Sequence, residues 1–220
     1  MSVPIYTRSA KIDLSIPTMP NTKSKILTAA LDLFNKRGFK DTTLQIIADE
    51  VGISVGNLAY HYKNKPDILS AHTEILDSKL RESLTHFRNF PNFLDFHIQL
   101  QHILAVQEEF SYIFRNQGEI AIYYPETFQL IQDFRQKLKT QIESRIEYQA
   151  EKGHLHIKTE EELNLLTNSL THFILSSQLH QLYELEKDEK RLFRELWALI
   201  KVYLSEQGLK EYQILIHSSI

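Results

Sequence analysis

Cysteine is absent from this 220-residue sequence. The absence excludes a disulfide framework, a thiolate zinc site and a cysteine nucleophile, and it leads us to expect a reducing cytoplasm as the protein's compartment. No uninterrupted apolar run approaches the roughly 18–20 residues that cross a bilayer, so we expect no membrane partner. The N-terminus also lacks the continuous apolar core of a secretion signal. The 42% hydrophobic and 24% charged residues that are present suffice to bury a core.

The sequence is equally poor in catalytic motifs. It contains no nucleophile elbow, no phosphate-binding loop and no paired metal motif. His154 and His156 stand two residues apart in a possible extended segment, but no third ligand is evident nearby, so we interpret them as surface-loop residues. We therefore predict that the protein is not an enzyme and has no metal site and no cofactor. A helical enzyme that uses a buried acid or histidine is the least favoured alternative.

Charge is distributed unevenly along the chain, whose net charge is −3. Residues 21–65 carry seven basic against four acidic side chains, residues 1–20 add one further positive charge, and the remaining 155 residues total −7. A basic region at one end of an acidic protein is typical of a molecule that touches a polyanion at that end only.

Helical spacing recurs along the chain, without clear strand alternation, internal repeats or low-complexity segments. The sequence therefore predicts an all-α protein of about nine helices. Glycines and prolines suggest the boundaries. The predicted helices span about 22–37, 44–51, 54–61, 64–88, 92–115, 125–151 and 159–184, followed by a long helix that ends before Gly208 and a C-terminal stretch that adds one short helix or frays.

Residues 42–65 predict two short helices joined by a tight turn. Thr43 is placed to cap the first helix, Leu44–Val51, and Ser54 is placed to cap the second. Between them, Gly52 supplies the left-handed conformation that ends a helix at low cost. Two such helices form a helix-turn-helix, whose second helix enters the major groove of DNA.

The same region carries a recognisable set of residues: Thr43, Ile47, Ala48, Gly52, Gly56 and the run Tyr60-His61-Tyr62-Lys63-Asn64-Lys65. With this set, the run from Gly38 to Leu69 resembles the DNA-binding domain of TetR-family transcriptional regulators. The motif is specific and covers roughly the first third of the chain. It departs from the family at Ala59, where members usually carry a tyrosine that helps to grip a phosphate, so that contact is not implied here.

The resemblance implies a division into three parts: a flexible N-terminal arm (1–20), a helix-turn-helix DNA-binding domain (21–66) and a larger helical domain for effector binding and dimerisation (67–220). It also implies a repressor that is released from a near-palindromic double-stranded DNA operator by an unidentified small-molecule effector. The alternative is a helical ligand-binding module whose DNA head is weakened, for which Ala59 is the only hint.

DNA contacts divide into phosphate contacts, which give affinity, and base-edge contacts, which give sequence preference. The predicted phosphate contacts are Thr43, Tyr62, Lys63 and Lys65, with Tyr60 and His61 against the backbone of the flanking strand. The predicted base-edge contacts are Gln45, Ser54, Val55, Gly56 and Asn57. Among these, glutamine or asparagine can pair with adenine, and valine can meet a thymine methyl group.

The larger domain is rich in aromatic residues on predicted helices, which usually form core. The resemblance raises the expectation that some of them line an effector pocket. The candidate pocket residues are Phe110, Phe114, Tyr123, Tyr124, Phe128, His172 and Phe173. For His172, a place in the core or in the subunit interface is an alternative.

The last two long helices are expected to pair with their counterparts in a homodimer, as similar helices do in the family. The candidate interface residues are Leu166, Leu170, Phe173, Ile174, Phe193, Trp197, Ile200 and Leu204. A two-fold dimer would place two recognition helices in successive major grooves, about 34–36 Å apart.

Overall fold

The computed structural model describes residues 21–85, 92–180 and 189–219, and the regular elements within these ranges are helices. This confirms the all-α prediction, although the described ranges contain eleven helices rather than about nine. They are α1 (Thr22–Arg37), α2 (Leu44–Val51), α3 (Val55–His61), α4 (Lys65–Thr85), α5 (Phe93–Glu109), α6 (Ser111–Arg115), α7 (Gln117–Tyr123), α8 (Pro125–Glu151), α9 (Glu160–His180), α10 (Glu189–Lys201) and α11 (Glu206–Ser219). Of these helices, none is long and apolar enough to span a membrane.

Helices α1 to α3 pack around one small core with the start of α4, and together they form what we call the head. Its fully buried side chains include Ile26, Phe34, Ile47, Leu58 and Ile68, each 0% exposed. They come from all four helices, so each helix closes the core of the others. The head is therefore a single packed unit that places α3 at the surface.

The predicted signals at the ends of α2 and α3 are confirmed. The Thr43 side chain accepts a hydrogen bond from the backbone N–H of Ile46, and Gly52 adopts the left-handed conformation with φ 75°. The Ser54 side chain accepts from the N–H of Asn57 and begins α3. These contacts satisfy backbone donors that a helix start leaves open, so residues within the motif itself set the ends of both helices.

Helix α4 belongs to the head at its start, and its remainder packs with α5 to α11, which together we call the body. It begins as predicted, because Asn64 Oδ1 accepts a hydrogen bond of 2.8 Å from the N–H of Asp67. Its 21 residues correspond to about 31 Å of length. The predicted end near residue 88 lies outside the described residues.

The predicted helix over 92–115 is broken at Phe110, which has the non-helical angles φ −105° and ψ 33°. A side chain from α1 explains the break. Asn35 Nδ2 donates to the carbonyl of Glu109 at 2.7 Å, and Asn35 Oδ1 accepts from the N–H of Tyr112 at 3.0 Å. The asparagine thus supplies hydrogen bonds where the continuous helix would have used its own backbone.

Two glycines lie inside helices. Helix α7 begins at Gln117 and contains Gly118. Helix α11 contains Gly208, so the C-terminal helix begins before this residue and not after it, as the sequence predicts. A Cβ at Gly208 would overlap the backbone carbonyl of His154, so this glycine permits close packing of α11 on the connector between α8 and α9. The predicted end of α9 near residue 184 lies outside the described residues.

Candidate nucleic-acid interface

Helix α3 buries one residue completely and presents most of the others to solvent. Leu58 is 0% exposed in the core of the head, whereas Ser54, Gly56 and Asn57 are exposed and Val55 is half-buried. The predicted base-edge residues of α3 therefore lie together on its accessible side. Nothing lies within ordinary van der Waals distance of a Cβ at Gly56 except the Ser54 hydroxyl, 3.9 Å away, which leaves this side of the helix flat.

The remaining base-edge candidate, Gln45, lies on α2 and already has a partner. Its Nε2 donates to Asp49 Oδ1 at 2.7 Å, one turn along the same exposed helix face. Reading a base with both ends of this amide requires that the glutamine leave the carboxylate first.

Tyr60 is the most exposed large hydrophobic residue of the head, with 85% of its surface accessible. Its ring meets the ring of His61 edge-to-face, with 5.2 Å between the centroids. An exposed aromatic ring with a hydroxyl at its end suits contact with a sugar-phosphate backbone. Lys63 is also exposed, and Thr43, although it caps α2, keeps an exposed side chain at the helix start.

The predicted phosphate contact of Tyr62 is wrong, because the residue is only 5% exposed. Its hydroxyl is buried and has no hydrogen-bond partner among the described residues. Burial, with a smaller contribution from Glu74, raises the pKa of Tyr62 to about 12. The ring belongs to the core of the head, with the ammonium of Lys23 5.6 Å above its centroid.

Lys65, another predicted phosphate contact, makes hydrogen bonds within the head that the sequence did not indicate. Its Nζ donates to the carbonyls of Phe39 and Lys40 at 2.6 and 3.1 Å, and it lies 4.8 Å from the centre of the Phe39 ring. Burial lowers the pKa of the Lys65 ammonium, against the raising effect of the Glu119 and Asp41 carboxylates. The ammonium ties the start of α4 to the loop after α1, and its contact with a phosphate stays a prediction.

Comparison with known proteins agrees with this geometry. The sequence model of the "Bacterial regulatory proteins, tetR family" matches residues 26–71, the span from α1 into α4. This match confirms the resemblance to TetR-family regulators.

Relatives of similar length extend the likeness beyond the head. The chain is 24% identical, over 191 residues, to the biofilm operon icaADBC HTH-type negative transcriptional regulator IcaR of Staphylococcus epidermidis, covering 84% of this chain and 100% of that protein. It shares its fold with a TetR-family transcriptional regulator of Marinobacter aquaeolei VT8 (TM-score 0.79, 21% identity, 90% and 98% of the chains). It likewise shares its fold with an ArpA-like gamma-butyrolactone receptor (TM-score 0.66, 19% identity, 87% and 92%).

Within this TetR-family fold, His72 of α4 joins the head to the body, a role that sequence reasoning missed. The side chain is 1% exposed. Its Nε2 donates to the Leu27 carbonyl of α1 at 3.0 Å, and its Nδ1 accepts from the Tyr112 hydroxyl of α6 at 2.9 Å. Desolvation by burial, only partly offset by the bond to Leu27, lowers the pKa of His72 to about 4. The imidazole is therefore neutral near pH 7.

Asn35 of α1 makes the second connection between head and body. Besides its bonds to Glu109 and Tyr112, its Oδ1 accepts from the Ser111 hydroxyl at 3.0 Å. The two carboxylate oxygens of Glu109 in turn each accept a hydrogen bond from the Lys79 ammonium, at 2.7 Å. Together these side chains, with His72, form what we call the junction. The junction cannot be predicted from a local sequence pattern, because Asn35 and Glu109 are 74 residues apart.

The seven candidate pocket residues differ widely in exposure, and the effector pocket that they would line stays a prediction. Phe110 and Phe114 are 1% and 0% exposed and belong to the core, whereas Tyr123 is 68% exposed. Tyr124 packs edge-to-face on Phe39 of the head. His172 is exposed and accepts from Arg135 at 3.1 Å. The remaining two candidates, Phe128 and Phe173, are partly buried against the core.

Two cavities lie between α4 and α8, and none of the seven candidates lines either of these two. The larger, about 580 Å³, is lined by Leu84, Thr85, Gln136, Lys137, Thr140, Gln141, Ser144, Arg145 and Tyr148. The smaller, about 340 Å³, is lined by Asp77, Leu80, Arg81, Leu84, Glu126, Gln129, Leu130, Asp133, Phe134 and Lys137. They share Leu84 and Lys137 and therefore adjoin.

Most of the candidate dimer residues are buried within one protomer. Leu166, Leu170, Ile174, Trp197 and Ile200 are at most 3% exposed, so the prediction that they contact a partner is wrong. Trp197 illustrates the reason, since its ring packs on those of Phe93, Phe96 and Tyr212. Phe173, Phe193 and Leu204 are only partly buried and also pack against this core.

The outer faces of α9 and α10 carry a different apolar set. Leu165 and Leu179 of α9 are 61% and 37% exposed, and Val202, just past α10, is 78% exposed. The exposed His172 lies midway between the two leucines, seven residues from each. Such spacing places the three residues on one helix face.

The two histidines of the connector between α8 and α9 do not form a pair. His156 is exposed, as predicted, but His154 is only 9% exposed, which corrects the surface-loop interpretation. His154 Nδ1 donates to Gln149 Oε1 at 2.6 Å, and its Nε2 accepts from Gln207 of α11 at 3.0 Å. Among the described residues, no group of three His, Asp or Glu side chains could hold a metal ion.

Proposed function

We propose that this TetR-family protein is a dimeric transcriptional repressor that a small-molecule effector releases from its operator. The observation that carries the proposal is the accessible face of α3, where Ser54, Gly56 and Asn57 stand beside the exposed ring of Tyr60. This face lies on the basic end of an acidic chain, as a protein that binds polyanion at one end requires. The relative IcaR is named a negative transcriptional regulator, which favours repression, and such a regulator works in the cytoplasm.

In the proposed dimer, a second copy of the chain covers the outer faces of α9 and α10. Leu165, Leu179 and Val202 supply exposed apolar area, and burial of such area drives association. A two-fold axis there makes the interface isologous, so that each residue set meets its own copy. The two α3 helices then reach successive major grooves about 34–36 Å apart on a near-palindromic site.

The effector acts, in this proposal, by binding the body better in one spacing of the heads than in the other. A ligand can shift the equilibrium only by this difference in affinity. Two routes lead from the body to the head: α4, which is continuous from Lys65 to Thr85, and the junction, in which Asn35 bonds to Glu109 and Tyr112. A receptor for gamma-butyrolactone among the structural relatives is consistent with a small-molecule ligand.

Fluorescence anisotropy with DNA from upstream of the protein's own gene tests the proposal. We expect binding that prefers particular fragments and weakens steeply with salt, because bound phosphates release counterions. Lys63→Ala should weaken binding to all fragments and lower the salt slope by about 1. The matched control is Lys139→Ala, a partly exposed lysine of α8, which should leave both quantities unchanged. Absence of sequence-preferring binding to these and other genomic fragments would refute the proposed function.

A further inference from the structure

Asp49 is an exposed carboxylate that bonds to the base-edge candidate Gln45. Both side chains are exposed on α2, and Gln45 Nε2 donates to Asp49 Oδ1 at 2.7 Å. Asp32 of α1, by contrast, is paired with the ammonium of Lys36 at 2.7 Å. The partner of Asp49 is thus the amide of a residue that is expected to face DNA, and not a cation.

The position of Asp49 brings little benefit to helix stability or to DNA affinity. Asp49 lies in the last turn of α2, which contains no basic residue, and a negative charge near a helix C-terminus is unfavourable. A carboxylate near the phosphates of DNA also weakens binding to every sequence through repulsion. A bond between glutamine and aspartate one turn apart stabilises a helix only slightly. The orientation that Asp49 gives to Gln45 is therefore the more informative consequence of the contact.

The carboxylate determines which end of the Gln45 amide a base can meet. An ionised carboxylate has only acceptor oxygens, whereas a glutamine amide has an N–H₂ donor at one end and a carbonyl acceptor at the other. Only the N–H₂ end of Gln45 can therefore face Asp49, as the structure shows. The carbonyl oxygen Oε1 is the end that remains for DNA.

We propose that Asp49 is a positioning residue that sets sequence preference, because it orients Gln45 so that the Oε1 acceptor reads a base with an amino group in the major groove. Adenine offers this donor at N6 and cytosine at N4, whereas guanine and thymine offer carbonyl oxygens instead. Guanine or thymine would place one acceptor against another and leave both unpaired. The preference is a property of the repressor proposed above, so this inference rests on that proposed function.

Release of the Gln45 amide should change the preference in a defined way. Without the carboxylate, the side chain can turn its N–H₂ group toward guanine O6 or thymine O4 as readily as it turns its carbonyl toward cytosine N4. It can also pair with adenine through both ends of the amide, which the bond to Asp49 prevents. Loss of the carboxylate should therefore remove the preference for cytosine over guanine, while adenine remains a favoured base.

Selection from a library of randomised DNA duplexes, with the full-length protein and sequencing of the bound fraction, tests the inference. The position read by Gln45 is the one whose base preference is removed by Gln45→Ala. There we expect the wild type to favour adenine and cytosine over guanine and thymine by about tenfold. Asp49→Asn keeps the size of the side chain, but its amide can donate as well as accept, so the preference for cytosine over guanine should fall to within about twofold.

Three control variants separate orientation from charge and from helix stability. Glu50→Gln removes the neighbouring exposed carboxylate of α2, so it should raise affinity for every sequence without changing the preference. Asp133→Asn breaks the same kind of bond on α8, where Gln129 Nε2 donates to Asp133 Oδ1 at 2.9 Å, and it should leave the preference unchanged. Asp49→Glu retains an acceptor for the Gln45 amide and should select the same bases as the wild type.

Two results would overturn the inference although the protein binds DNA with sequence preference. In the first, Gln45→Ala affects no position, or the affected position carries guanine or thymine in the sequences that the wild type selects. In the second, Asp49→Asn prefers cytosine over guanine as strongly as the wild type does, so the carboxylate has no part in the reading. Failure of the proposed function gives a different result, because the wild type then enriches no sequence, which refutes that function and this inference together.

Discussion

Replacement of Asn35 by alanine should cost far more stability than its partly exposed position suggests. The change removes three hydrogen bonds. Asn35 donates one of them to the Glu109 carbonyl and accepts the other two from Ser111 and Tyr112. A neutral hydrogen bond contributes about 1 kcal/mol net, and water can replace part of this at a half-buried site, so we expect a loss of about 2–3 kcal/mol. For a chain of this size, that loss corresponds to a fall in melting temperature of roughly 5–10 °C.

Circular dichroism melts of the variant and of a matched control give the measurement. Asn164→Ala serves as the control, because Asn164 is half-buried on α9 and has no hydrogen bond from its side chain within the described residues. Surface changes of this kind stay within about 0.5 kcal/mol. Hydrogen exchange adds a local check, since the amide of Tyr112 loses its acceptor and should exchange faster. Equal melting temperatures for the two variants would refute our account of why α5 and α6 are separate helices.

Three further predictions concern other parts of the molecule. Burial lowers the pKa of His72 to about 4, so as pH falls the unfolded chain takes up a proton before the folded protein does. The free energy of unfolding should therefore fall by up to about 3 kcal/mol as pH drops from 6.5 to 4. Urea titrations should find a smaller loss in His72→Gln. Gly208→Ala should destabilise the fold, because its Cβ would overlap a backbone carbonyl. Gly118→Ala, whose Cβ has nothing within 4 Å, should instead raise the free energy of unfolding by about 0.5–1 kcal/mol in chemical denaturation. The opposite order of stability would contradict the packing described for α11. Leu165→Asp should give monomers in analytical ultracentrifugation, while Ile214→Asp, equally apolar and 67% exposed on α11, should leave the dimer intact.

The head could be predicted from sequence because its determinants are local. Thr43, Gly52 and Ser54 each act on a helix end within a few residues of themselves, and their spacing is visible in the sequence. The two lysines near the end of the motif differ in this respect. Lys63 is exposed, whereas Lys65 binds carbonyls 25 and 26 residues earlier, a contact that no local pattern indicates.

The body could be predicted only in outline, for two physical reasons. Helices α9 and α10 are apolar on more than one face, so periodicity identified the apolar residues without indicating which of them pack inside. Trp197, a predicted interface residue, is therefore core, whereas Leu165, which the sequence did not single out, is exposed. Long-range polar contacts are the second reason, since an asparagine such as Asn35 has the same appearance in sequence whether it meets water or Glu109.

The junction has a consequence for the construction of hybrid regulators. Cutting the chain near residue 66 and exchanging heads between family members treats the head as a detachable module. Here, however, the break at Phe110 depends on a side chain from α1, and His72 depends on the α1 carbonyl of Leu27. A foreign head without an asparagine at the position of Asn35 would leave the carbonyl of Glu109 and the amide of Tyr112 unpaired. A head transferred to another body therefore has to be accompanied by its matching residues in α4, α5 and α6. Without them, the hydrogen bonds of the junction are lost.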